Sequence, residues 1–262
     1  MNAVFVYLAS LCFPVFQDNL NGNSLPASAA PYGFTWQPAY SIDKQARPPL
    51  NAYQPQAGDI ILYSDTNFVW TLLYLIARTQ PVPGHAGLVV KMPDGEMGIL
   101  EAGYNDKPIT KVTPITKRFY EYKGTIWIRK RKSPIGETES NALTHFAYSV
   151  AEHPYAIGRF ALQLTPFRSR GLLRTNYLGK PKGLQGRYMC AEIVLEALVY
   201  AGLLSAESTR PAATYPTDMF YDKSPIPYIN KNLNLSSMGW EIPAMWTAQK
   251  SGPVCVEALK KN

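Results

Sequence analysis

A cysteine that opens a helix and a histidine that opens a strand are the residues whose types and places point to chemistry. In Tyr188-Met189-Cys190-Ala191-Glu192-Ile193-Val194 the cysteine falls in the first turn of a predicted helix. Unbonded backbone N–H groups and the positive end of the helix dipole favour a thiolate over a thiol there. In Gly84-His85-Ala86-Gly87-Leu88-Val89-Val90 the histidine stands at the start of a buried strand. From that rigid place an imidazole could take the thiol proton and return it to a leaving group. Cys190 reads as the nucleophile and His85 as the base.

A third group follows from the register of one hairpin. The strands 85–92 and 97–102 are joined around Pro93-Asp94-Gly95. Proline suits the first central position of a type I turn, and glycine suits the left-handed residue of the bulge that follows, so a three-residue loop is expected. Met92 then faces Glu96 and Gly87 faces Glu101. That register puts Glu101 on the face of His85, diagonally adjacent and within reach of a long side chain. Glu101 interrupts an apolar strand, Gly98-Ile99-Leu100-Glu101-Ala102, where a lone carboxylate is costly without a cation or donor beside it. An imidazole is one such partner; an exposed edge position, or a salt bridge to a basic residue, is the plainer reading. For the oxyanion of an attacked carbonyl, the Cys190 backbone N–H is the first donor expected and the Tyr188 hydroxyl the weaker one.

These groups need a sheet and a helix to hold them. Residues 58–64 (Gly-Asp-Ile-Ile-Leu-Tyr-Ser) read as a buried strand entered through a turn at Gln56-Ala57-Gly58. A helix is expected over Phe68–Arg78, stopped by Pro81 and Pro83. Lys107–Lys117 reads as extended, with a short helix over Pro114–Tyr122. Thr125–Arg131 reads as a further strand of the same sheet, and Glu137–Glu152 as a helix. The run Arg129-Lys130-Arg131-Lys132 reads as a solvated strand end. His145 and His153 read as surface or helix-end histidines. Residues 155–187 carry seven Arg and Lys residues and read as a basic loop leading to Cys190, either a rim that attracts carboxylate or phosphate or a solvated connection. The helix from Cys190 to Leu204 has Ile193, Val194, Leu198, Val199 and Leu203 along one side and ends at Gly202, so most of it is core and only its first turn is open to chemistry.

Composition bounds the rest. With 262 residues, 46% hydrophobic and 17% charged, the chain can bury a full core as one domain with extensions. Of the 22 prolines, 11 fall in residues 26–55 and 207–246, with 6 of the 17 tyrosines, an enrichment that makes those flanks loop-rich. A net charge of +7 suits an anionic surface or partner, but no zinc-finger, helix-turn-helix or aromatic RNA-binding signature points to nucleic acid. Residues 3–16 form an apolar run too short to span a bilayer comfortably, followed by Ala27-Ser28-Ala29-Ala30. This reads as an export signal with a small-residue cleavage region, though no Lys or Arg precedes it, or as an arm packed on the domain of a cytoplasmic protein. Cys12, Cys190 and Cys255 are the three cysteines; no pair has metal-ligand spacing, and no metal or cofactor is expected. A structural Cys190–Cys255 disulfide is the competing account of Cys190.

Gly-Asp-Ile-Ile-Leu at 58–62, Gly-His-Ala-Gly-Leu-Val-Val at 84–90, Leu-Glu-Ala at 100–102 and Tyr-Met-Cys-Ala-Glu-Ile-Val at 188–194 resemble, in that order, the permuted papain-like cysteine peptidases and amidases of the NlpC superfamily, of the YiiX and YaeF type. The resemblance implies an α+β, circularly permuted papain-like fold, with an antiparallel sheet packed against the helix that carries the nucleophilic cysteine. It implies Cys190 as nucleophile, His85 as base and Glu101 as the group that orients the histidine. Ala191 stands where the family commonly has serine. The layout expected is a signal or arm over 1–30, a proline-rich lead-in over 31–55, a catalytic domain over 56–222 and a C-terminal extension over 223–262. The activity expected is hydrolysis of an amide bond in a peptide or cell-wall peptide. A lipid acyltransferase or thioesterase on the same fold is the alternative, and a non-catalytic binding module is the reading from another class.

Overall fold

In a computed structural model the described residues are 32–36, 51–64, 83–104, 107–163, 165, 172–222 and 233–248. The helix expected over 68–78, the apolar run 3–16, Cys12 and Cys255 lie outside them. In chain order the elements are β1 (Phe34–Trp36), β2 (Asn51–Ala52), β3 (Ile60–Ser64), β4 (His85–Lys91), β5 (Met97–Tyr104), β6 (Lys107–Pro114), α1 (Ile115–Glu121), β7 (Thr125–Arg129), α2 (Glu137–Ser149), α3 (Ile157–Gln163), α4 (Leu172–Tyr177), α5 (Cys190–Tyr200), α6 (Pro216–Tyr221) and β8 (Ala244–Thr247). A short 3₁₀ turn, Pro211–Ala213, precedes α6.

The strands form one antiparallel sheet in the order β2-β1-β8-β7-β3-β4-β5-β6, so the described part of the chain is α+β. Side chains alternate across a strand with a period of two, and each face has its own core. Ile60, Leu62, Leu88, Val90, Leu100 and Ala102 pack with α2 and α5. Ile61, Tyr63, Val89, Ile99, Ile126 and Ile128 pack on the opposite face with Ile115 and Phe119 of α1. By the same alternation His85 and Glu101 belong to the α1 face. His85 opens β4 at the very end of the strand, opposite Tyr63.

The β4–β5 hairpin has the expected register. Lys91 pairs with Met97 and Gly87 with Glu101, and the Met92 N–H donates to the Glu96 carbonyl at 2.8 Å. Gly95 takes φ +89°, the left-handed conformation that closes such a loop at no steric cost. Glu96 N–H also donates to Asp94 Oδ1, which fixes the turn locally.

Helix α5 is apolar nearly all round because it is buried nearly all round, from Cys190 to Leu198. It lies against β4, β5 and α2, and each fully buried Leu, Ile or Val contributes about 1.5–3 kcal/mol, so its first turn is held rigidly. Its last turn closes at Tyr200 and the stop falls at Gly202 as expected, at φ +72°, with the Gly202 and Leu203 N–H groups returning to carbonyls of the last turn, a left-handed stop.

Three expectations need correction. The 155–187 stretch is not simply a loop, since α3 and α4 lie within it. The basic run after β7 is not wholly solvated: Arg129 is buried, donating to both Asp222 carboxylate oxygens at 2.8 Å, to the Met219 and Glu241 carbonyls and to Ser236 Oγ. A buried guanidinium is tolerable because its donors are met. The C-terminal stretch enters the sheet, with β8 seated between β1 and β7. Trp240 is buried there, its indole N–H donating to the Gly58 carbonyl at 2.8 Å and its ring lying 4.3 Å from the Arg131 guanidinium carbon.

Candidate active site

Cys190 is the first residue of α5, with Met189 as its N-cap. The Glu192 carboxylate reaches back to the Met189 N–H at 3.0 Å, satisfying one of the donors that a helix start leaves unbonded. Glu192 is fully buried and takes its charge partner from Arg159 of α3, which also donates to the Arg187 carbonyl. These contacts clamp the backbone that runs into the cysteine. Cys190 is 8% exposed and not in a disulfide.

The structure brings His85, Cys190 and Glu101 together. The imidazole shares a side-chain hydrogen bond with Cys190, and its Nε2 stands at ion-pair distance, 3.7 Å, from Glu101 Oε1. Burial works against the imidazolium, but the hydrogen bonds and negative charge offered by Cys190 and Glu101 outweigh it and lift His85 to about 9. That is the direction an imidazole takes when a carboxylate and a hydrogen-bond partner stand beside it. Burial would likewise push Glu101 up; hydrogen bonding and charge from His85 and then from Arg118 hold its carboxyl below the ordinary value. Gly87 makes the approach possible. Opposite Glu101, an added Cβ would stand 2.7 Å from Ile99 Cγ2 and 3.0 Å from Glu101 Cγ, so only glycine leaves the carboxylate its path to His85.

Arg118 is the residue that sequence reasoning missed. Its Nε donates to both Glu101 oxygens, at 2.8 and 3.1 Å, and its guanidinium carbon lies 4.6 Å from the Tyr63 ring centre and 5.0 Å from that of Tyr122. The plainer reading of Glu101, a salt bridge to a basic residue, is thus present together with the histidine contact. Helical spacing offered a signal: Ile115, Arg118 and Phe119 fall on one face and all three are buried. Tyr63 is the other missed neighbour. Its ring is 5.5 Å from that of His85, and burial followed by the Glu101 charge pushes its phenol well above the ordinary value, so it stays a neutral wall. Lys111 of β6 pairs across from Glu101.

Tyr188 does not serve as expected. Its ring is buried against Phe146, and its hydroxyl donates to the Gly183 carbonyl at 3.0 Å while accepting the Gln185 N–H. That hydroxyl organises the turn before α5, and its one donor is spent there, so it has none to offer an oxyanion. His145 meets the Tyr200 hydroxyl and His153 the Gln185 carbonyl.

The chain is similar in structure to yiiX. The solved structure is that of the metalloprotein yiiX from Escherichia coli O157:H7, with a TM-score of 0.43 and 16% identity over 75% of this chain and 99% of that one. No protein-family model and no curated protein matches the chain. Among the described residues no group of three or more His, Cys, Asp or Glu side chains is placed to hold a metal ion, and no helix is long and apolar enough to cross a membrane.

Proposed function

We propose that the protein is a thiol hydrolase that cleaves an amide bond, in a peptide or cell-wall peptide, on a circularly permuted papain-like fold. The observation that carries this reading is the imidazole of His85 set between Cys190, at a helix start, and buried Glu101, whose carboxylate stands 3.7 Å from Nε2. His85 takes the Cys190 proton as sulfur attacks the carbonyl carbon. The tetrahedral oxyanion is met by the Cys190 backbone N–H at the positive end of α5. His85 then gives its proton to the leaving amine as the C–N bond breaks, leaving an acyl-enzyme that water resolves. Glu101 fixes the imidazole tautomer and stabilises its cationic form, the work of the third member of a triad. The histidine precedes the cysteine in the chain, the order of the permuted proteins that the motifs resemble.

A second reading is favoured by one surface. Ile157, Leu162, Tyr177, Leu178 and Leu184 are exposed on the segment that runs into Cys190, among exposed Lys180, Lys182 and Arg187. Such a surface suits a lipid acyl ester or thioester, attacked by the same thiol. Incubating the protein and its Cys190→Ser variant separately with muropeptides and with phospholipids, read by mass spectrometry, tests both readings. A product pair summing to substrate plus water from muropeptides supports the amidase, and a fatty acyl group on Cys190 supports the alternative. If neither substrate reacts and an activated acyl thiol probe leaves Cys190 unmodified, the protein is a binding module.

A further inference from the structure

We infer that Arg118 is a positioning residue of the active site, holding Glu101 as an oriented anion that pairs with the His85 cation and does not take its proton. The inference rests on the thiol-hydrolase reading and adds a fourth member to it.

Four groups are joined by successive contacts: Cys190 to His85, His85 to Glu101, and Glu101 to Arg118. When the first two are thiolate and imidazolium, the set of three without Arg118 carries one excess negative charge in a place largely removed from water, since Glu101 is fully buried and His85 and Cys190 are 8% exposed. A carboxylate so placed lowers its free energy by taking a proton, and the nearest acidic proton is on His85. With Arg118 the set is neutral as a whole. The guanidinium cannot drift to solvent, because it is stacked between Tyr63 and Tyr122 and Arg118 is 6% exposed. Its Nε spans both oxygens, which fixes the plane of the carboxylate as well as its charge. The other groups facing Glu101 are Lys111 across the β5–β6 pair and the Tyr63 phenol. Helix α1, whose place on the sheet is set by Ile115 and Phe119, thereby has a role beyond packing.

The test reads the carboxylate directly. In protein carrying ¹³C-carboxyl glutamate, the Glu101 resonance, assigned by its loss in Glu101→Gln, should show no titration between pH 5 and 8. In Arg118→Met its midpoint should move upward by at least about one unit, a tenfold rise in proton affinity, and the acidic limb of the Cys190 alkylation rate should move up with it. Arg118→Lys, which keeps the charge, should restore most of both. Arg118→Gln gives the same measurement if the methionine variant does not fold. A role confined to packing would lower stability and leave both profiles in place. An unmoved Glu101 midpoint in a folded variant overturns the inference. Failure of Cys190 to react in the unsubstituted protein overturns the enzyme reading instead, and the carboxyl titration still reports on Arg118.

Discussion

The Glu101–Arg118 pair should show a large coupling in a double-mutant cycle. The structure places both charges out of water and 2.8 Å apart at their nearest atoms. Removing one member of a buried pair leaves the other uncompensated and costs about 3–5 kcal/mol. Glu101→Gln leaves the guanidinium against a neutral amide. Arg118→Met keeps an apolar stem between the two tyrosine rings, but leaves the carboxylate with His85 as its near cation and gives up the cation–π contacts, about 0.5–2 kcal/mol. The double variant carries neither stranded charge and keeps an amide that can still meet His85. Its loss should therefore fall well short of the sum of the singles, with a coupling of about 3 kcal/mol. Urea unfolding at neutral pH, with all four proteins fitted to one common m-value, measures this. Losses that add to within about 0.5 kcal/mol would mean the two residues act independently, and the charge argument would be wrong.

Other residues make separate predictions. Gly87→Ala should cost about 1–3 kcal/mol in urea unfolding by overpacking, and should slow Cys190 alkylation because the new methyl displaces Glu101. Tyr188→Phe should cost about 1 kcal/mol for the hydroxyl bonded to Gly183 and Gln185 and leave the alkylation rate unchanged; a large rate loss would return it to the oxyanion site. Glu196, whose carboxylate accepts the Lys182 and Gly183 N–H groups, is pushed up to about 7, chiefly by burial. A raised carboxyl contributes stability that is present below the unfolded value of about 4.3 and is lost as pH rises through about 7. Stability between pH 4.5 and 8 should therefore fall less in Glu196→Gln than in the unsubstituted protein, and parallel curves would contradict this.

What was legible in the sequence was what local chemistry decides. Pro93-Asp94-Gly95 fixes a loop length, the loop length fixes the register, and the register puts Glu101 on the face of His85. The start of α5 was legible because an apolar helical pattern begins at Cys190. What could not be read depends on groups brought together by packing. Arg118 meets Glu101 from 17 residues away and from another element. Arg129 looked like the edge of a charged run because its partner Asp222 lies 93 residues on. The placement of β8 between β1 and β7 joins the two ends of the described chain, and periodicity carries no information about which strands become neighbours. Tyr188 stood beside the cysteine in sequence, but at a helix start neighbouring side chains point apart.

The central claim is that His85 and Glu101 make Cys190 a nucleophile. Iodoacetamide labelling of the purified, unreduced protein near neutral pH, followed by mass spectrometry of the Cys190 peptide in the unsubstituted chain and in His85→Ala, tests it most directly. Cys190 should be modified ahead of the other cysteines, and the rate should drop at least about tenfold without the imidazole, the loss expected when a general base is removed from its nucleophile. A Cys190 that resists labelling, or one that labels equally fast in both proteins, would contradict the claim.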